Sequence, residues 1–208
     1  MVVLAVNEPE EDPQARSGAE ATALAAGPLG LSWRHPRDGD HPGLVALIDD
    51  WHGGRRVHAA FGRFLLAHFG STSLLAETGD GKVAGYLVGV VSPDRPGDAF
   101  VHTAAVNPNL RRRGIGRELY RRFGLLAGAR GARRFVVNVW PGDPIAVAFH
   151  RALGFEPQTA EGAMKLYGTP ALPDYDYPGE DRAIFTRPIS EQDGEAVTSM
   201  PREEGDQK

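Results

Sequence analysis

Three consecutive arginines, Arg111, Arg112 and Arg113, run directly into Gly114-Ile115-Gly116-Arg117. Guanidinium groups carry full charge and forked donors suited to phosphate oxygens, and glycines let an anion approach the backbone without meeting a Cβ. Ile115, Leu119, Phe123 and Leu126 then recur at helical spacing, which puts the first turn of a helix on the basic run. The leading N–H groups of such a turn have no intrahelical acceptor and carry the positive end of the helix dipole. Residues 111–117 therefore read as a polyphosphate site. No Gly-Lys-Ser/Thr follows and the three-glycine dinucleotide fingerprint is absent, so neither nucleotide motif applies.

Other residues in the chain suit proton transfer and cation binding. On an apolar strand over 99–106, alternation predicts that Phe100, His102 and Ala104 share a face, which makes His102 a candidate base. Asp143 to Phe155 reads as a capped helix ending at Gly154, and it carries His150. An imidazole with a reference pKa of about 6.5 exchanges protons near neutrality. Ala146, Phe149, His150 and Leu153 also share one helical face, so packing is the competing role for His150. Asp49 and Asp50, followed by Trp51 and His52, either attract a cationic amine against an aromatic edge or cap the flanking helices.

Val106-Asn-Pro followed by Arg111-x-x-Gly114-x-Gly116 resembles the acyl-CoA pyrophosphate loop of the GNAT superfamily of N-acyltransferases. The strand Arg134 to Trp140, with Asp143, Phe149-His150 and Leu153-Gly154-Phe155 after it, resembles that family's fifth strand and following helix. The likeness runs from about Leu31 to Ile189. It implies a single-domain α/β GNAT fold: a mixed, mostly antiparallel sheet of six to seven strands, flanked by about four helices, with strands 4 and 5 splayed. It further implies transfer of an acetyl or other short acyl group from acetyl-CoA or another acyl-CoA to a primary amine of a small molecule or peptide, by direct attack in a ternary complex.

On this likeness Arg111, Arg112, Arg113, Gly114, Ile115, Gly116 and Arg117 hold the pyrophosphate. Ala104, Ala105 and Val106 pair with the pantetheine arm, and Asp143 and Phe149 flank it. Asp49, Asp50, Trp51, His52 and Trp140 face the acceptor. His150 stands where the family carries a tyrosine proton donor, and Asp143 replaces its usual Asn. Phe100 lies nearest the position of an acceptor-facing Glu, which leaves His102 or a water relay as the base. Two other readings stay open: a carrier-protein-bound acyl donor, and a non-catalytic CoA-binding module.

At 208 residues the chain suits one domain. Residues 1–30 read as a largely disordered tail, 31–189 as the domain and 190–208 as an acidic, solvated tail. A net charge of −4 argues against a general nucleic-acid binder. With no cysteine, thiol chemistry and cysteine zinc sites are excluded, and the seven histidines lack paired ligand spacing, so no metal is expected. No apolar run approaches the roughly 20 residues that cross a bilayer. A cytoplasmic protein without a membrane partner is the expectation, with a homodimer left open.

The remaining elements follow from periodicity. A first strand is expected at Leu31 to Arg34 and a helix through Leu44, Leu47 and Ile48. A second helix follows over Val57 to Phe69, then a hairpin of 73–77 with 82–91 and a terminal strand over 181–189. Tyr167, Tyr175 and Tyr177 either line an acceptor pocket or pack a Pro-rich connection.

Overall fold

The computed structural model describes residues 13–27, 29–190 and 193. Its helices are α1 (Pro13–Leu24), α2 (His41–Trp51), α3 (Phe64–Phe69), α4 (Ile115–Gly128) and α5 (Pro144–Ala152). Its strands are β1 (Ser32–Arg34), β2 (Leu74–Glu77), β3 (Val83–Val91), β4 (Asp98–Val106), β5 (Arg134–Val139), β6 (Glu156–Pro157), β7 (Met164–Leu166), β8 (Thr169–Ala171) and β9 (Ala183–Pro188).

Seven strands form one sheet in the order β1-β2-β3-β4-β5-β9-β6, and β7 with β8 makes a separate hairpin. Every neighbouring pair is antiparallel except β4 and β5, which run parallel. The mixed, mostly antiparallel sheet expected from the sequence is thus present, with five helices among the described residues. Because side chains alternate across a strand, the sheet has two apolar faces. Ala99, Val101 and Phe135 pack with Ile115, Leu119 and Phe123 of α4 on one face. Tyr86 and Val88 pack with Leu44, Ile48 and Trp51 of α2 and with Phe61 and Leu65 on the other.

Strand β4 is irregular in two ways. Its parallel pairing with β5 covers only Asp98–Val101 against Arg134–Val137, so the stretch from Thr103 to Val106 keeps β3 on one side and leaves β5 on the other. Within the β3–β4 ladder, Val88 pairs with Thr103 and Gly89 with Val101, which makes His102 the extra residue of a bulge. The predicted alternation is corrected here. Ala104 packs toward the α4 core, while His102 and Thr103 both reach groups on the α2 side of the sheet.

Three other expectations need correction. The periodic run Val57 to Phe69 is not one helix but a 3-10 turn, Val57–Ala60, then α3 from Phe64. The break falls at Phe61, whose ring stacks on His41 with centroids 5.6 Å apart and whose carbonyl accepts from His41 Nε2 at 2.9 Å. Within the presumed N-terminal tail, Pro13–Leu24 forms α1 on the α4 side, with Ala23 fully buried. At the other end, Asp193 is buried and its carboxylate accepts from Arg187 Nη2, Ser190 N and Ser190 Oγ. The rest of both expected tails, including Val2 to Val6, lies outside the described residues.

Candidate active site

The site lies where β4 parts from β5. Loss of a neighbour leaves Ala104, Ala105 and Val106 half-exposed along an open strand edge, a form that adds an extended amide chain by main-chain hydrogen bonds. The loop after β4 turns through a short 3-10 helix, Pro108–Leu110, closed by Asn107, whose side chain accepts from Asn109 N. It then enters α4 through two left-handed residues, Arg112 (φ 65°) and Gly114 (φ 84°). The first intrahelical bond of α4 runs from Glu118 N–H to Gly114 O at 3.0 Å, so the N–H groups of Ile115, Gly116 and Arg117 precede it.

The glycines have different jobs. A Cβ at Gly114 would meet nothing within 4 Å, which is the open approach that a phosphate needs. A Cβ at Gly116 would lie 2.9 Å from Phe149 Cζ, so this glycine lets α5 pack on the first turn of α4. Arg112, Arg113 and Arg117 are exposed, whereas Arg111 is tied down: its Nη2 donates to Trp51 O at 2.7 Å. That bond joins the basic loop to the end of α2. Open Gly114 space, leading N–H groups and free guanidinium charge fit a pyrophosphate, and the neighbouring strand edge fits the amides of a pantetheine arm.

Across the mouth, His52 caps the end of α2. Its Nε2 lies 3.2 Å from Tyr86 Oη on β3 and 3.3 Å from Thr103 Oγ1 on β4. Burial holds the His52 pKa below its ordinary value, Arg55 and Arg111 act in the same direction, and Asp143 and Asp49 oppose. Tyr86 stacks on Trp51, and burial raises its phenol.

Paired charges and rings form a rim. Arg55 sits 4.3 Å over the Trp140 ring and donates to Glu180 at 2.8 Å. Arg182 also pairs with Glu180 and with Asp176. Burial works against the Glu180 charge, but the Arg182 and Arg55 guanidiniums overcome it and hold the carboxyl below its usual range. Tyr167, exposed at the tip of the β7–β8 hairpin, lies 6.1 Å from Trp140 between ring centroids.

A family model described as the acetyltransferase (GNAT) family matches residues 31–155. The chain belongs to the GNAT family. It is 26% identical over 106 residues to L-2,4-diaminobutyric acid acetyltransferase of Nocardia farcinica (strain IFM 10152), an alignment covering 51% of this chain and 54% of that one. The chain thus spans about half the length of this curated relative. Among solved structures it resembles Ard1 of Thermoplasma volcanium with a TM-score of 0.61, at 17% identity and covering 77% and 99% of the two chains. Diaminobutyrate acetyltransferase EctA of Paenibacillus lautus, in complex with L-2,4-diaminobutyric acid and coenzyme A, gives 0.56 at 21% identity and covers 77% and 96%. At these identities the structural likeness speaks for the fold.

Several residues singled out in the sequence have structural partners in this GNAT chain. His150 is buried among Tyr120, Phe149, Phe155 and Phe185. Its Nδ1–H donates to Ala146 O at 2.8 Å, and its Nε2 accepts from Tyr120 Oη at 2.8 Å. Burial lowers its pKa against the Ala146 bond and Asp143, so both nitrogens serve a neutral packed ring. His102 donates from Nε2 to Ala60 O at 3.1 Å and pins the 3-10 turn to β4.

Asp49 accepts from His58 N at 2.9 Å and from His58 Nδ1 at 2.5 Å, which braces the turn after α2. Asp50 is exposed. Asp143 caps α5 by accepting from Ile145 N and Ala146 N. Sequence reasoning passed over Tyr86, Thr103 and Glu180. Tyr86 did leave a signal, because a tyrosine inside an apolar strand must find a partner for its hydroxyl.

Proposed function

We propose that the protein is an N-acetyltransferase that moves an acetyl group from acetyl-CoA to a primary amine of a small molecule. The observation that carries this reading is the open edge of Ala104–Val106 beside the N-terminus of α4. One element offers main-chain pairing to an extended arm and the other offers N–H groups and arginines to its pyrophosphate. The acceptor enters from the side bounded by His52, Arg55, Trp140 and Tyr167. Holding thioester and amine together converts a bimolecular reaction into a local one. The amine nitrogen attacks the thioester carbonyl, the C–N bond forms, the C–S bond breaks, and the thiolate leaves with a proton as the free thiol. Membership of the GNAT family and likeness to a curated diaminobutyrate acetyltransferase support the acetyl donor and the small amine acceptor.

The test is release of CoA thiol from acetyl-CoA by the purified chain. The panel of acceptors contains diamines, amino acids including L-2,4-diaminobutyric acid, aminoglycosides and short peptides. Thiol release with a small amine, together with the acetylated product by mass, is the expected result. Release only with peptides would move the acceptor class. No release with any amine, despite acetyl-CoA binding, would overturn the reading in favour of a binding module.

A further inference from the structure

We propose that His52 takes the proton from the acceptor ammonium through Nδ1, as a catalytic base of the acetyl transfer. The inference rests on the acetyltransferase reading and adds the group that readies the amine. Its first support is placement. His52 ends α2, and its partner Thr103 stands two residues beyond Val101, the last β4 residue paired with β5. The ring is therefore at the opening between the two strands. The charges it feels come from every element around that opening: Asp49 on α2, Arg55 in the following turn, Arg111 in the basic loop and Asp143 at the start of α5.

The second support is how the ring is held. Two hydroxyls, Tyr86 Oη at 3.2 Å and Thr103 Oγ1 at 3.3 Å, converge on Nε2 from adjacent strands. The bulge at His102 is what brings Thr103 to this side; regular alternation from Val101, which faces α4, would turn residue 103 away. Nδ1 has no hydrogen-bond partner among the described residues and is not among their enclosed, unpartnered atoms. A ring anchored at one nitrogen and open at the other is the arrangement of a positioned base. The Nε2–H tautomer, donating to the hydroxyl pair, leaves the Nδ1 lone pair for the substrate.

Burial of the ring keeps it neutral at pH 7, since the charged form is the one that loses hydration. One ammonium proton passes to Nδ1, and the neutral amine attacks the thioester carbonyl. The second nitrogen proton ends on the departing sulfur, and the imidazolium returns its proton to water. His150 offers no open nitrogen, as both are engaged, and His102 is held through Nε2 on Ala60 O rather than by hydroxyls of the sheet.

Two measurements on the full chain test this. Nitrogen-detected NMR of the imidazoles should find His52 as the Nε2–H tautomer, titrating below the ordinary value of about 6.5. With an amine that the wild type acetylates, His52→Gln should lower kcat/KM by about a hundredfold or more and abolish the acidic bend of the pH profile. Acetyl-CoA affinity by calorimetry should be unchanged. Tyr86→Phe, which leaves one hydroxyl, should cause a smaller loss and move the bend. An Nδ1–H tautomer, or a His52→Gln chain with wild-type kcat/KM, would overturn the assignment while leaving the acetyltransferase reading intact. A wild-type chain inert toward every amine would overturn both.

Discussion

The ring of Phe149 fills the space that a side chain on Gly116 would occupy: a Cβ there would stand 2.9 Å from Cζ and 3.0 Å from Cε2 of the ring. Phe149 in turn meets Tyr120 edge to face at 5.8 Å, so the contact fixes α5 on the opening turn of α4. Gly116→Ala should therefore act as overpacking, at about 1–3 kcal/mol, or about 2–4 °C of melting temperature per kcal/mol for a chain of this size. Calorimetric melting checks it. An unchanged Tm would mean that the ring swings aside without cost.

Arg112 and Arg113 are exposed and make no ion pair or side-chain hydrogen bond among the described residues, unlike Arg111, which donates to Trp51 O. Their charge is free for a phosphate. Arg112→Gln and Arg113→Gln should each weaken acetyl-CoA binding by about 5–30-fold, the equivalent of one charge-assisted contact worth about 1–2 kcal/mol. Stability should hardly change. Titration calorimetry decides, and equal affinity in both variants would remove the pyrophosphate from residues 111–117.

That basic loop was legible in the sequence because its chemistry is local: arginines, glycines and the first helical turn are contiguous, and a family pattern covers them. Features that depend on distant partners were not. The bulge at His102 inserts one residue into β4 and overrides the alternation that seemed to align His102 with Ala104. Helix α1 buries only Ala23 among its described residues, so its sequence carries little amphipathic signal. Its anchor, Arg122, is 99 positions away. For His150, helical spacing already allowed the packed role, and Tyr120 explains why the ring is held there.

His150→Phe should strand the hydroxyl of Tyr120, a residue that is 2% exposed and whose Oη has His150 Nε2 as its partner. Leaving a buried donor unsatisfied costs about 1–3 kcal/mol, and Tyr120→Phe added to His150→Phe should recover part of it. Turnover well below the Tm should fall less than about tenfold, short of the usual cost of losing a catalytic acid. The pH dependence has a definite sign. Burial holds the folded pKa of His150 below its unfolded value of about 6.5. Between those two values the unfolded chain binds more protons, so this contribution is complete above the unfolded pKa and is lost as pH falls through the folded one. The Tm of the wild type should drop more steeply than that of His150→Phe as pH goes from about 7 to 5. Parallel curves would show that His150 titrates normally in the fold.

Arg122 holds α1 to the domain. Its Nη1 donates to the carbonyls of Ala23 and Ala25 at 2.5 and 2.7 Å, its Nε pairs with Glu118 at 2.7 Å, and its guanidinium lies 4.1 Å over the Trp33 ring. The side chain is 2% exposed, so its charge depends on these partners for solvation. Deleting residues 1–25 would remove both carbonyl acceptors at once. Water replaces part of what is lost, and a net cost of about 2–4 kcal/mol remains, which corresponds to about 4–16 °C of Tm. Arg122→Met, which removes the buried charge and keeps a long apolar stem, should make the 1–25 deletion less costly than it is in the wild type, and melting of the four chains in a double-mutant cycle reads that coupling directly. Additive losses in the cycle would show that α1 adheres through other contacts and that Arg122 does not anchor it.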